Sequence, residues 1–238
     1  MNEVAVIRAI FRYPVKSMRG EELPEAELTL QGFPFDRQYA FVQANSRSIF
    51  PWLTGREYAG LLRYRARVEV SDAGRPDVVV VDPDGDTIAV HHDALRLALE
   101  ERSGRPLFLL RDYRGSQDAA QVSLIGDASI AQIGAECGTP VEPSRFRANL
   151  YLETISGAPF EEDGWVGSIL RIGDTARIAI TEQDKRCAMI TLHPETGEAR
   201  TEVLTAVARN HNTMAGIYGS VLTPGPIRPG DAVRVESS

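Results

Sequence analysis

The residues with the clearest chemical potential surround Cys187, in the segment EQDKRCAMITLHPETGE. Lys185 and Arg186 directly precede the cysteine, and neighbouring cations favour the thiolate over the thiol. A thiolate is both a nucleophile and a ligand for soft metals, so the segment predicts covalent catalysis or metal binding. The alternative is a small apolar side chain buried at the start of a strand, which is a common environment for a free cysteine.

Covalent catalysis by this cysteine needs a histidine as general base. The chain has four histidines, and the spacing of none of them predicts a convincing pair with the cysteine; they are His91, His92, His193 and His211. A cysteine hydrolase is therefore disfavoured. The second cysteine, Cys137, closes a predicted helix just before Gly138, and we expect it to be structural.

A second group of polar side chains lies near the start of the chain, in YPVKSMRGEEL. Lys16 and Ser17 follow a predicted strand over residues 4–11, where a plain turn would be ordinary. Both side chains present hydrogen-bond donors. Considered alone, the pair is also typical of a solvated strand end.

Composition and charge narrow the class of protein. The chain has 238 residues, which is one large domain or two small ones, and a net charge of −7 from 26 basic and 33 acidic residues. This acidic balance, without a block of Lys and Arg, argues against nucleic acid as a partner. No apolar run approaches the roughly 18 residues of a membrane helix and no signal peptide is evident, so we expect a cytoplasmic protein without a membrane partner. Two cysteines are too few for a Cys-rich zinc site or a four-cysteine iron–sulfur cluster.

The apolar pattern predicts a mainly β protein with short helices, of the α+β class. Two of the helices are expected to begin with a capping aspartate, Asp93 in the first and Asp127 in the second. The polar segment RDYRGSQDA lacks periodicity and predicts a seam or mobile loop, so we place two modules at residues 1–110 and 111–238. The predicted strands include YAFVQA, YRARVEV, RFRANLYLET and AMITLHP, with hairpins in DVVVVDPDGDTIAV and ILRIGDTARIAITEQ, and the predicted helices are DALRLALEERSG, DASIAQIGAEC and TEVLTAVARN.

Six motifs in order link the two ends of the chain. The stretches FRANL, FEEDGW, KRCAMITLHPETGE, GIYGSV and IRPGDAVRV follow one another as they do in MOSC domains. The opening YPVKSMRGEELPEAELTLQGFPFDRQYAFV resembles the β-barrel module that precedes MOSC in the amidoxime-reducing family. The pattern is most similar to the mitochondrial amidoxime-reducing component and its bacterial counterparts. The resemblance implies a β-barrel-type MOSC domain packed with an N-terminal β-barrel-like module.

The family binds molybdenum cofactor (Mo-molybdopterin), a pterin dithiolene that carries one molybdenum and a terminal phosphate. The resemblance implies that Cys187 ligates the metal, which suits a thiolate beside a soft-ligand centre. It also implies that Asp163 faces the open side of the metal as a second catalytic residue and handles protons, although Glu161 and Glu162 beside it fit a solvated acidic loop. The positions that it implies for holding the cofactor are Lys16, Ser17, Arg37, Arg147, Asn149, Arg186 and Tyr218.

The motif FRANL contains two of the residues that the resemblance assigns to cofactor binding. Arg147 and Asn149 are two residues apart, so on a strand they would share one face. Arginine can fork onto phosphate or carbonyl oxygens, and asparagine can donate and accept against a pterin edge. The chain departs from the family pattern at Ala148, where a proline is usual, and at Ala215, where a phenylalanine is usual, so the pocket wall is expected to differ there.

The resemblance implies an oxidoreductase, independent of pyridoxal phosphate, that reduces N-hydroxylated substrates such as amidoximes and hydroxylamines. Because no flavin or cluster motif is visible, we expect a separate electron-donor protein of ferredoxin, flavoprotein or cytochrome type. One alternative is a molybdenum cofactor carrier or sulfur-transfer protein that uses a persulfide on Cys187. Another is a MOSC protein that has lost cofactor binding, which the retained Cys187, Lys16 and Arg147 disfavour.

Overall fold

The computed structural model describes residues 2–236, which form fifteen strands and three α-helices. The prediction of a mainly β protein with short helices is confirmed. None of the helices in this range is long and apolar enough to cross a membrane. The strands are β1 (Asn2–Arg12), β2 (Glu21–Leu23), β3 (Ala26–Leu28), β4 (Tyr39–Gln43), β5 (Arg65–Val70), β6 (Pro76–Val81), β7 (Thr87–Ala89), β8 (Leu107–Arg111), β9 (Val122–Gly126), β10 (Leu150–Thr154), β11 (Ile169–Ile172), β12 (Ala176–Lys185), β13 (Met214–Thr223), β14 (Gly225–Ile227) and β15 (Ala232–Glu236). The helices are α1 (Asp93–Ser103), α2 (Asp127–Cys137) and α3 (Thr201–His211).

Seven strands close into a barrel in the order β10-β9-β13-β12-β11-β15-β1. The pairing of β1 with β10, which sets Ile7 opposite Leu152, joins the two ends of this sheet. Buried and less buried residues alternate along the first half of β12, as expected when one face of a strand lines a core. Aliphatic side chains fill the barrel, among them Leu124, Ile178 and Ile217, all fully buried.

The first strand completes this barrel although it comes from the opposite end of the chain from most of its partners. It pairs with β15 and with β10, and its last residues also pair with β2. The chain then builds a second lobe from the sheets β4–β8 and β5–β6–β7, with α1 packed against a core that includes Phe41, Leu61 and Leu95. The turn that follows β1 carries Lys16 and Ser17, so these residues lie where the two lobes meet.

Most predicted elements are confirmed, and two strand predictions are wrong near the motifs of interest. The segment AMITLHP begins as a 3-10 helix, Ala188–Thr191, because the Ile190 N–H turns back onto the Cys187 carbonyl. RFRANLYLET becomes extended only at Leu150, after Arg147 has adopted a left-handed backbone with φ of 53°. The expectation that Arg147 shares a strand face with its neighbour two residues on is therefore wrong.

The first helix also begins differently from the prediction. Asp93 is the first residue of α1 rather than its cap, and the ring Nδ1 of His92 accepts the Ala94 N–H at 3.2 Å. Asp127 likewise lies within α2, which has no cap from its own N-terminal side chains. The predicted helix ends hold, since Gly104 follows α1 in the left-handed conformation.

Candidate functional site

A cleft of about 390 Å³ lies at the junction between the second lobe and the barrel. Its walls come from the turn after β1, the segment before β9, the FRANL motif, and the end of β12 with the residues that follow it. The residues predicted as catalytic or cofactor-binding that line this cleft are Lys16, Ser17, Arg37, Arg147, Arg186, Cys187 and Tyr218. The remaining two, Asn149 and Asp163, lie outside the lining.

Cys187 is exposed at this cleft. It lies two residues beyond the end of β12 and directly precedes the 3-10 helix, whose first hydrogen bond runs 3.2 Å from the Ile190 N–H to the Cys187 carbonyl. The alternative of a buried structural thiol is therefore wrong for Cys187. Cys137 instead is partly buried, with its Sγ 3.7 Å from the Glu202 carbonyl of α3.

Arg186 is anchored in the wall of the cleft. Its Nε donates to the Ala215 carbonyl at 2.6 Å, and its Nη1 donates to the Phe146 carbonyl at 2.8 Å. Among the described residues no partner lies within hydrogen-bond reach of its Nη2, although this atom is buried. The absence of a side chain at Gly216 makes room for it, because a Cβ there would lie 3.1 Å from Nη2. This unpaired donor is suited to a bound ligand.

Asp184 is a site residue that the sequence prediction missed. Its buried carboxylate lies 2.9 Å from the Arg186 guanidinium and lines the cleft. Burial raises the pKa of Asp184, although Arg186 opposes the shift. Burial and then the Asp184 charge raise the pKa of the Tyr218 hydroxyl, so this phenol stays protonated and can donate a hydrogen bond. The spacing was a usable signal, since residues two apart at the end of a strand share a face.

Lys16 enters the cleft from the turn after β1, with its side chain only 10% exposed. Its ammonium donates to the Ser116 carbonyl at 2.7 Å and to the Asp118 carboxylate at 2.9 Å, and it lies 4.8 Å from the centroid of Trp52. Burial lowers the pKa of Lys16, whereas Asp118 acts to raise it. Part of the segment predicted as a seam or mobile loop thus forms a wall of the cleft.

Arg37 and Arg147 form a cationic pair in the cleft. Arg37 contacts the Asp36 carboxylate at 2.5 Å and donates to the Arg147 carbonyl at 2.7 Å. The Arg147 guanidinium donates to the Met18 carbonyl at 2.8 Å, and no carboxylate of residues 2–236 forms a salt bridge with it. Burial, helped by the charge of Arg37, lowers the pKa of Arg147 to about 10. A partly buried cation without a carboxylate partner favours an anionic ligand.

Asn149 lies behind this pair and is only 1% exposed. Its side-chain oxygen accepts from Arg37 and from the Ser123 N–H, each at 3.2 Å. Its amide nitrogen donates to the Phe11 carbonyl at 3.1 Å and to Asp36 at 3.2 Å. The geometry therefore makes Asn149 a residue that orients Arg37, rather than one that reaches into the cleft.

Three of the cleft residues have left-handed backbones, which sequence patterns did not predict. The φ angles of Ser17, Arg37 and Arg147 are 66°, 50° and 53°. This conformation is uncommon outside glycine, asparagine and aspartate, and it costs free energy that the surroundings must offset. Such residues concentrate at functional sites, so the clustering of three here independently marks the cleft.

The FEEDGW motif has a structural role that its composition does not suggest. Glu162 is fully buried and accepts the Gly126 N–H and the Ser129 hydroxyl, both at 2.9 Å, so it caps α2 from outside the helix. A solvated acidic loop is therefore wrong for Glu162. Burial, followed by the Glu162 charge, raises the pKa of Asp163, and its buried Oδ1 has no hydrogen-bond partner among residues 2–236.

Two regions of the chain match known domain families. Residues 111–234, more than half of the chain, match the MOSC domain, and residues 4–104 match the MOSC N-terminal beta barrel domain. The chain belongs to the MOSC family. In this MOSC protein the cleft joins the two matched regions, with Lys16 and Arg37 from the first and Arg147, Arg186 and Cys187 from the second.

Curated relatives of this MOSC protein include molybdenum cofactor sulfurases. The sulfurase of Drosophila grimshawi is 26% identical over 250 residues, covering 88% of this chain and 31% of the sulfurase. That of Oryza sativa subsp. japonica is 26% identical over 247 residues, covering 81% of this chain and 29% of the sulfurase. The chain thus spans less than a third of the length of these relatives. Among solved structures, the YuaD protein from Bacillus subtilis shares the fold, with a TM-score of 0.53 at 14% identity over 99% of this chain and 97% of that one.

The cleft residues of the MOSC protein fit the cofactor that the sequence resemblance implies. Seven cationic and three acidic side chains line the cleft, although the chain as a whole carries a net charge of −7. Two buried atoms of this lining that can donate a hydrogen bond, Arg186 Nη2 and Ser116 Oγ, lack a partner within residues 2–236. An anionic, oxygen-rich ligand would satisfy both the charge and these atoms. The exposed Cys187 supplies a thiol suited to a soft metal.

Proposed function

We propose that this MOSC protein binds molybdenum cofactor in the cleft, with Cys187 as the protein ligand of the metal, and reduces N-hydroxylated compounds such as amidoximes and hydroxylamines. The observation that carries the proposal is the meeting of an exposed cysteine with an excess of cations in one cleft. The sequence similarity to molybdenum cofactor sulfurases supports the choice of cofactor.

The residues of the chain would hold the cofactor, and the exposed Cys187 would bind its metal. Lys16, Arg37 and Arg147 supply positive charge for phosphate and pterin oxygens, and Tyr218 donates from its protonated hydroxyl. When bound, the cofactor supplies two-electron oxygen-atom transfer. Asp163 or solvent supplies the protons, and solvent reaches the cleft at the exposed Cys187.

The proposed overall reaction consumes two electrons and two protons for each N–OH group. The N–O bond breaks, the nitrogen takes one of the protons, and the hydroxyl oxygen takes the other and leaves as water. A separate electron-donor protein, of ferredoxin, flavoprotein or cytochrome type, supplies the electrons. The substrate is a small N-hydroxylated molecule that enters at the Cys187 side of the cleft.

A second candidate function is cofactor or sulfur handling, with a persulfide on Cys187. The curated relatives favour it, because the sulfurase sequences are the ones that this chain matches over most of its length. The exposure of Cys187 suits transfer to another molecule as well as metal binding.

Turnover measurements separate the two candidates. The molybdenum-loaded protein is assayed with a reduced viologen dye as donor and a simple amidoxime as substrate, beside Cys187→Ser. The reductase proposal expects two molecules of the one-electron dye to be oxidised for each amidine formed, and both signals to be lost in Cys187→Ser. No turnover by fully loaded protein, together with a persulfide on Cys187 detected by intact mass, would favour the sulfur-handling alternative.

A further inference from the structure

The cleft has an apolar side as well as a cationic one. Four large apolar side chains line it, namely Phe50, Phe146, Met189 and Ile190. Phe146 and Ile190 are each only 2% exposed, so they offer little surface to a ligand. Phe50 and Met189 therefore supply most of the apolar surface that a bound molecule can reach.

Phe50 lines the cleft and is 53% exposed. Its backbone N–H donates to the Ser48 hydroxyl at 3.0 Å, and its ring centroid lies 5.6 Å from that of Trp52. Trp52 in turn lies under the Lys16 ammonium, at 4.8 Å. The neighbouring Ile49 is 85% exposed. Adjacent exposed apolar side chains at a cleft are typical of a binding surface.

Met189 faces the same cleft from the 3-10 helix that follows Cys187. Its sulfur packs against Gly55, where an added Cβ would lie 2.9 Å from it, so the segment after Phe50 holds this side chain in place. A thioether makes favourable contacts with aromatic rings and adapts to their shape. Met189 and Cys187, two residues apart, line the same cleft.

We propose that Phe50 and Met189 form an aryl-binding lip, which selects N-hydroxylated substrates that carry an aromatic ring next to the reacting group. This inference rests on the proposed reduction of N-hydroxylated compounds. The cationic side chains take the anionic cofactor, which leaves the apolar surface of Phe50 and Met189 for the rest of the substrate. A planar ring gains stacking on Phe50 and a sulfur contact with Met189, whereas a methyl group gains little.

The test compares benzamidoxime with acetamidoxime in the dye-coupled assay of the molybdenum-loaded protein. We expect kcat/KM to favour benzamidoxime in the wild type, and Phe50→Ala to reduce that preference by about fivefold to tenfold, mainly through KM. Met189→Ala reduces it less. Phe108→Ala is the matched control, because Phe108 is 47% exposed but does not line the cleft.

A binding measurement separates failure of this inference from failure of the proposed function. Saturation-transfer NMR detects contact between the protein and the ring protons of benzamidoxime whether or not turnover occurs. Saturation transfer that is lost in Phe50→Ala and kept in Phe108→Ala supports the lip, even if no substrate is reduced. An unchanged substrate preference in Phe50→Ala, or an equal loss in Phe108→Ala, would overturn it.

Discussion

Arg37 and Arg147 share one aromatic ring, since each guanidinium carbon lies 4.5 Å from the ring centroid of Tyr13. The two arginines come from distant parts of the chain, and within residues 2–236 only Arg37 has a carboxylate beside it, that of Asp36. Two cations on one ring, partly removed from water, form an arrangement that costs folding free energy. Binding of an anion to the two arginines would offset this cost, so the arrangement is explained by a binding role rather than by a contribution to folding stability.

Replacing Arg147 by Met should therefore separate stability from binding. Met keeps much of the length and removes a buried charge, so we expect Arg147→Met to raise the unfolding free energy of the cofactor-free protein by about 1 kcal/mol. The same change should weaken binding of inorganic pyrophosphate, a simple anionic probe. Urea unfolding and isothermal titration measure the two effects. A variant that loses stability and keeps its pyrophosphate affinity would contradict this account of Arg147.

The ion pair of Lys16 with Asp118 should set the pH at which pyrophosphate binding is lost. Burial lowers the pKa of Lys16 and Asp118 opposes that shift, so Asp118→Asn should lower the pKa further. Lys16 loses its charge as the pH rises through this pKa, and pyrophosphate binding weakens with it. The alkaline loss of binding should thus begin at lower pH in Asp118→Asn than in the wild type.

Glu182 provides the control for that experiment. It is an exposed carboxylate that also lines the cleft, and no bond joins it to Lys16. Glu182→Gln removes the same charge from the same cleft and should leave the alkaline midpoint of pyrophosphate binding nearly unchanged. Equal shifts in both variants would mean that the Lys16–Asp118 contact has no particular effect.

Gly216 should tolerate no side chain. Its φ is +80°, and a Cβ would lie 2.6 Å from the Leu124 carbonyl and 3.1 Å from Arg186 Nη2. We expect Gly216→Ala to destabilise the protein by about 2–3 kcal/mol, since backbone strain adds to the clash. Gly157→Ala is the matched control, with φ of +66° and nothing within 4 Å. Chemical denaturation of both variants measures the difference, and equal losses would rule out the clash.

Glu162 should matter for stability more than its acidic neighbour. Glu162→Gln keeps the shape but weakens the acceptor for Gly126 and Ser129, so we expect a loss of about 1–3 kcal/mol. Glu161→Gln, in the same motif but bonded only to the Ser156 hydroxyl at the surface, should cost little. Thermal unfolding compares the two. A larger effect at Glu161 would contradict the capping role of Glu162.

The sequence predicted much of the fold because its signals are local. Period-two alternation and turn residues identify the hairpin at Gly173 and Asp174, and helical spacing identifies α1, α2 and α3. Closure of the barrel was not visible, because the pairing of Ile7 with Leu152 joins residues far apart in the chain. The cap that Glu162 supplies to α2 was hidden for the same reason.

The sequence predicted most of the residues that line the candidate site, but not how they are arranged in it. Family motifs identified Lys16, Arg37 and Cys187, which do line one cleft. The left-handed backbones, which set the direction of Arg147, leave no reliable trace in the sequence of a non-glycine residue. Asp184 was missed because its role comes from the ion pair with Arg186 at the end of β12, which no family motif in the sequence indicates.

The most direct test of the central claim is the metal and pterin content of the purified protein. Mass spectrometry gives molybdenum per chain, and the fluorescence of the oxidised pterin gives the cofactor independently, for the wild type and Cys187→Ser. The account predicts about one molybdenum and one pterin per chain in the wild type, and loss of molybdenum in a variant that still folds, because Cys187 is exposed. Wild-type protein without molybdenum after expression in a cofactor-replete host, or Cys187→Ser with an undiminished molybdenum content, would contradict it.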